Sequence, residues 1–173
     1  MDAREALRLI EGAVPSGPAA WADFGAGDGT FTRALVTRLG PGARIHAVDR
    51  DVHRLRSLAD DGVTVVRADL EQPFELPDAH AGSLDGMLIA NTLHYIRDGA
   101  GVLARLAGWL KPEGRVVLIE YDQRESTRWV PYPIDAAAVP ALFAAAGLTP
   151  PEIVARADSA FGGEMYVAAG RRR

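Results

Sequence analysis

The residues best suited to chemistry in this chain are a carboxylate and three glycines set close together. In Asp23-Phe24-Gly25-Ala26-Gly27-Asp28-Gly29, the acid stands two positions before the first of three alternate glycines. Glycine lacks Cβ, so the backbone can turn through positive φ there and a ligand can touch the main chain itself. Asp23 bears on the kind of ligand. A dinucleotide fold lays a pyrophosphate over a helix N-terminus with the spacing Gly-x-Gly-x-x-Gly, and a neighbouring acid would repel it. Here the spacing is Gly-x-Gly-x-Gly, and the acid calls for a cationic partner. A purely structural strand-to-helix turn would use the same glycines, so the motif alone leaves both readings open.

Further acids follow at strand ends. Ala43-Arg44-Ile45-His46-Ala47-Val48-Asp49 reads as a strand closing on a carboxylate about 20 residues past the turn, where nucleotide folds place an acceptor for ribose hydroxyls. Asp49 would also cap a helix starting near Val52, although Asp51 suits that cap as well or better and leaves Asp49 freer for a ligand. The β-branched run 63–68 ends at Asp69-Leu70, and Asp is favoured wherever a strand gives way to a loop. The apolar run 84–90 ends in Asn91-Thr92-Leu93-His94-Tyr95-Ile96. His94 and Tyr95 serve packing and capping at such a place as readily as acid–base chemistry.

The elements that must position these residues alternate between strand and helix, the pattern of a doubly wound sheet. Residues 1–13 read as a helix, broken by Pro15-Ser16-Gly17-Pro18 before the first strand. Helices are expected at 30–39, 52–60, 99–110 and 135–146. The helix 99–110 stops at a turn forced by Pro112 and Gly114, and a fifth strand follows at 115–121. Two last strands at 153–157 and 165–169 are joined by about five residues, 158–162, with a Gly162-Gly163 turn. A parallel crossover needs about a dozen residues, so these strands form an antiparallel hairpin.

Over roughly residues 19–170 the chain resembles the class I, Rossmann-like methyltransferases that use S-adenosylmethionine, as a small single-domain bacterial-type member. The resemblance rests on Asp-x-Gly-x-Gly-x-Gly at 23–29, the acids 49 and 69, the segment after the fourth strand, the Leu110-Lys111-Pro112-Glu113-Gly114 turn and the closing hairpin. It implies an α/β fold with a seven-stranded sheet in the order 3-2-1-4-5-7-6, strand 7 antiparallel and helices on both faces. It implies S-adenosyl-L-methionine as cofactor, at the carboxyl ends of strands one, two and four. Asp23, Gly25, Ala26 and Gly27 would cradle it. Asp49 and Arg50 would meet the ribose end, and Asp69 the adenine amino group, with Leu70 on the ring. Asn91 would lie near the sulfonium, and His94, Tyr95 and Tyr121 are the catalytic candidates. Methyl transfer in line with the sulfonium needs positioning and desolvation more than a protein nucleophile.

Acceptor candidates cluster after the fifth strand. Prolines 131 and 133 hold Val130 and Tyr132 extended, so Trp129 and Tyr132 are expected as walls of an acceptor site or as cover for the sheet edge. Glu120, Tyr121 and Asp122 are candidate proton acceptors or solvated loop residues. A lid would have to come from the amino-terminal helix, the loop 71–83 or the loop 122–134.

The 173 residues suit one domain: a helix and hinge at 1–18, the core at 19–170 and a solvated basic tail at 171–173. A net charge of −4 argues against a broad nucleic-acid footprint, so a small-molecule acceptor is expected, with a protein or RNA acceptor as the alternative. A non-catalytic cofactor-binding partner subunit and a nicotinamide oxidoreductase are further alternatives; the glycine spacing and closing hairpin disfavour the latter. A homo-oligomer stays open. The chain has no cysteine, and its four histidines show no ligand spacing, so no metal is expected. Neither a secretory start nor a long apolar run is seen, which sets a cytoplasmic protein without membrane contact as the expectation.

Overall fold

The computed structural model describes residues 1–159 and 162–173. The chain opens with helix α1 (Ala3–Ile10), started by a capping box in which Asp2 accepts from the N–H groups of Arg4 and Glu5 while Glu5 accepts from that of Asp2. Then come β1 (Ala20–Phe24), α2 (Thr30–Leu39), β2 (Arg44–Asp49) and β3 (Val63–Arg67). They are followed by β4 (Leu84–Ala90), α3 (Gly99–Ala107), β5 (Leu110–Tyr121), α4 (Val139–Ala145), β6 (Glu152–Asp158) and β7 (Glu164–Arg171).

All seven strands form one sheet in the order β3-β2-β1-β4-β5-β7-β6. β7 runs antiparallel to both β5 and β6, and the other pairings are parallel. The central strands are buried on both faces, which is why they read as continuous apolar runs. Side chains alternate between two cores: Ala20, Ala22 and Phe24 join α3 and α4 on one face, while Trp21 joins α1 and α2 on the other. Gly86 pairs with Trp21 on the neighbouring strand, and a Cβ there would run into the indole. Fully buried side chains such as Ile10, Leu35 and Leu88 each contribute about 1.5–3 kcal/mol by leaving water. Among the described residues, no helix is long and apolar enough to cross a membrane.

Several expectations are corrected. The helix expected at 52–60 is a 3-10 segment, His53–Asp61, closed by Gly62 in the left-handed region. Its N-cap is Val52, which offers no side-chain bond; Asp51 accepts from the His53 N–H one step in. β5 begins at Leu110, not 115. Leu84 pairs with Leu110 and Gly86 with Arg115, so the Pro112–Gly114 turn is a bulge inside the strand. Two of the three carboxyl-terminal arginines are tied to the fold. Arg171 belongs to β7 and donates to the Glu113 carbonyl at 3.0 Å, while Arg172 donates to the carbonyls of Gly108 and Leu110. The hairpin connection expected at 158–162 includes residues 160 and 161, which lie outside the described residues.

Candidate functional site

β1 and β2 are parallel neighbours with Phe24 opposite Val48, so the glycine turn leaves the sheet beside Asp49. The N–H groups of Gly25 and Ala26 both donate to the Val48 carbonyl, at 2.8 and 3.0 Å. Gly25, Gly27 and Gly29 take φ values of 81°, 58° and 82°, a region that costs an L side chain roughly 1–2 kcal/mol. Gly25 is doubly constrained, because a Cβ would also strike Thr92. The Thr92 hydroxyl lies 3.1 Å from the Gly25 carbonyl oxygen and 2.9 Å from that of Ala90, clipping the turn to the end of β4.

Asp23 lies beneath this turn and is 1% exposed. Its Oδ2 accepts from the Thr32 hydroxyl at 2.6 Å, while its Oδ1 is buried without a partner. Burial drives the carboxyl up to about 7; the Thr32 bond opposes the rise, and the charges of Asp49 and Asp28 add to it. A buried acceptor left unpaired costs about 1–3 kcal/mol, so this atom sits ready for a donor or a cation.

Asp49 is not the free carboxylate that its sequence position suggests. Oδ2 accepts from the Gly27 N–H at 2.8 Å and Oδ1 from the Asp51 N–H at 2.9 Å. Two carboxylate oxygens offer about four acceptor sites, so two remain on a group whose direction is now fixed. Asp69 accepts from the Glu71 N–H at 2.9 Å, the turn role foreseen for it, and still faces the cavity. Leu70 is 6% exposed, and Arg50 is exposed at the rim.

These residues line a single open cavity of about 1040 Å³. Asp23, Gly25, Ala26, Gly27, Asp49, Arg50, Asp69, Leu70, Asn91, Tyr95 and Tyr121 all border it. Asn91 takes φ 47°, a conformation Asn tolerates. Its Nδ2 donates to Met165 Sδ at 3.7 Å, and its Oδ1 is buried without a partner. Tyr95 is half exposed, and burial beside Glu120 pushes the Tyr121 phenol up.

His94, Trp129 and Tyr132 are absent from the lining. His94 is buried behind Tyr95 and Tyr121, its Nδ1 2.6 Å from Glu120 Oε2. Trp129 is 65% exposed under the Arg128 guanidinium, and the Tyr132 hydroxyl accepts from Arg97 at 3.2 Å. Neither ring borders this cavity. The Thr127 hydroxyl accepts from the Trp129 and Val130 N–H groups, a turn that leaves the Trp129 ring in solvent.

Sequence reasoning missed what closes the other side. One face of α1, through Glu5, Arg8 and Leu9, overlooks the cavity, as do Ala155 and Ala157 of β6 and Met165 of β7. The amino-terminal helix was among the lid candidates, but which of its faces turns inward depends on packing against α2. For Thr92, a β-branched hydroxyl directly after the fourth strand was the available signal. Among the described residues, no group of three or more His, Cys, Asp or Glu could hold a metal ion.

A family model described as "Methyltransferase domain" matches residues 22–116. The chain is 33% identical over 136 residues to the biotin biosynthesis bifunctional protein of Bordetella avium, covering 73% of this chain and 27% of that protein. It is 30% identical over 117 residues to an uncharacterized methyltransferase of Mycobacterium tuberculosis, covering 65% of this chain and 56% of that one. The chain thus spans about a quarter and just over half of these relatives' lengths. Its fold matches 1,6-didemethyltoxoflavin-N1-methyltransferase of Burkholderia thailandensis, solved with 1,6-didemethyltoxoflavin and S-adenosylhomocysteine. The TM-score is 0.77 at 22% identity, over 98% of this chain and 77% of that one. It also matches phosphoethanolamine N-methyltransferase 2 of Haemonchus contortus, solved with S-adenosyl-L-methionine, with a TM-score of 0.74 at 15% identity over 98% and 52% of the two chains.

Proposed function

Because this chain belongs to the class I methyltransferase-domain family, we propose that it is an S-adenosylmethionine-dependent methyltransferase acting on a small-molecule acceptor. The observation that carries the proposal is the unpaired, buried Asp23 Oδ1 at the floor of the cavity, beside a turn of left-handed glycines. It suits an ammonium group and repels a phosphate, so it favours this cofactor over a dinucleotide.

When bound, S-adenosylmethionine supplies an electrophilic methyl group on a sulfonium. The acceptor's lone pair forms the new bond to that carbon as the carbon–sulfur bond breaks and its electrons return to sulfur. The protein's residues bind and orient. Asp23 pairs with the ammonium, the main chain of Gly25, Ala26 and Gly27 allows close approach, and the fixed carboxylate of Asp49 accepts from ribose hydroxyls. Asp69 and Leu70 hold the adenine, with Arg50 at the rim. Asn91, whose Oδ1 also lacks a partner, stands toward the sulfur end. Tyr95 and Tyr121 border the acceptor side, and the raised phenol of Tyr121 suits it to orienting an acceptor rather than serving as a ready phenolate.

Ligand pockets span about 300–1,000 Å³, so this cavity is large enough for a cofactor with a small acceptor beside it. The small heteroaromatic ligand of the Burkholderia structure also supports that acceptor class. Isothermal calorimetry with S-adenosylhomocysteine tests the proposal. Micromolar binding that is lost in Asp23→Asn is expected, and no binding by the native chain would sink it.

A further inference from the structure

We infer that the buried His94–Glu120 pair is the positioning element of the acceptor site, an inference that rests on the methyltransferase reading above. Both residues are 1% exposed, and neither lines the cavity. Glu120 grips residue 94 twice: Oε1 accepts from its N–H at 3.1 Å, and Oε2 lies 2.6 Å from ring Nδ1. Facing a carboxylate, Nδ1 is the donor, and Nε2 is left buried without a partner. The pair ties the exit of β4 to the end of β5, on the acceptor side of Asn91.

Each member is followed in sequence by a cavity-lining tyrosine, Tyr95 after His94 and Tyr121 after Glu120. The imidazole packs between them, with ring centroids 4.3 Å from Tyr95 and 5.7 Å from Tyr121. The His94 carbonyl also accepts from the Tyr132 N–H at 2.9 Å, anchoring the loop after β5. One buried unit thus sets the place of both aromatic walls. Burying a carboxylate and an imidazole costs desolvation that an apolar pair would avoid. What the polar pair adds is a single fixed geometry. His94 does not reach the acceptor, so it acts through the tyrosines.

The test labels the full chain with 3-fluorotyrosine, assigns the lines by single Tyr→Phe changes, and compares His94→Phe with Glu120→Gln. His94→Phe keeps a ring but releases Glu120. The fluorine lines of Tyr95 and Tyr121 should shift and broaden, with S-adenosylhomocysteine affinity within about threefold of the native protein. For any phenol, amine or carbon acid that the native protein methylates with tritiated S-adenosylmethionine, kcat/KM should fall about tenfold or more, mainly through KM. Glu120→Gln still accepts from residue 94 and should restore both lines and turnover. If His94→Phe fails to fold, the double variant His94→Phe/Glu120→Leu removes both polar groups and should show the same two disturbed lines. Native Tyr95 and Tyr121 lines in whichever variant folds would overturn the inference, as would an equal loss of cofactor binding and turnover. A native chain that binds no S-adenosylhomocysteine sinks the methyltransferase reading instead, and the tyrosine lines then still decide whether the pair positions these walls.

Discussion

Where β1 hands over to α2 the cavity wall is largely main chain, and where β4 and β5 end it is side chain. The half we propose for the donor is built from the glycine turn and two strand ends. Its groups lie close in sequence, and the Val48 carbonyl and the Asp49 carboxylate hold the turn in place. The half we propose for the acceptor gathers Leu9, Tyr95, Tyr121, Ala155 and Met165 from across the whole chain. A motif can specify the first kind of wall, because neighbouring residues close it. Only the finished fold specifies the second. The donor half should therefore respond sharply to single changes, and the acceptor half should depend on what braces it.

The largest effect expected is on Asp23. Asp23→Asn should weaken S-adenosylhomocysteine binding roughly 100-fold in calorimetry, the value of about 1.5–3 kcal/mol for a charged hydrogen bond. The same variant should be more stable above neutral pH. The native carboxyl sits at about 7 against an ordinary 3.8, so between those values the folded chain holds a proton that the unfolded chain has lost. Stability from this group therefore declines as pH rises through that window. At about 1.4 kcal/mol per tenfold, the penalty approaches roughly 4 kcal/mol, a net figure that already contains the opposing Thr32 bond to the charged form. Melting at pH 8 should show Asp23→Asn above the native protein by several degrees; a lower melting temperature would mean that the charge is not strained.

Asp49→Asn comes next, with a loss of roughly 20-fold in affinity, because it removes a ribose acceptor and loosens the turn together. A loss in stability without a loss in affinity would reduce Asp49 to a brace. Smaller again is the pH effect on the native protein. An ammonium needs the ionised form of Asp23, so affinity should fall about tenfold between pH 8 and pH 6. A flat titration would break the link between the unpaired oxygen and the ligand. Trp129→Ala should matter least, changing cofactor affinity by less than about twofold and unfolding free energy by less than about 1 kcal/mol, since its ring lies outside both halves. A large loss of turnover would bring the loop 122–134 back into the acceptor half.

The same contrast explains what was legible from sequence. Parallel strands buried on both faces announce themselves as apolar runs, and 84–90 is found to the residue as β4. The short gap between the last two strands dictated a hairpin, and β6 and β7 pair antiparallel. The start of β5 was hidden because the pairing of Leu110 with Leu84 is a tertiary contact across a bulge. The terminal arginines looked like a tail, since nothing local shows that the carbonyls of Gly108, Leu110 and Glu113 await donors. The direction of Trp129 and Tyr132 was not legible, because the Thr127 turn and the Arg97 contact set it.

Gly86 has a consequence for how this sequence can drift. Its φ is not among the left-handed ones, so the backbone does not demand glycine there; the Trp21 indole does. Positions 21 and 86 share one volume across two strands, and neither can grow alone. Homologues with a larger residue at 86 should carry a smaller one at 21, an inherited exchange of bulk that leaves the strand register, and with it the glycine turn four residues beyond Trp21, where it was.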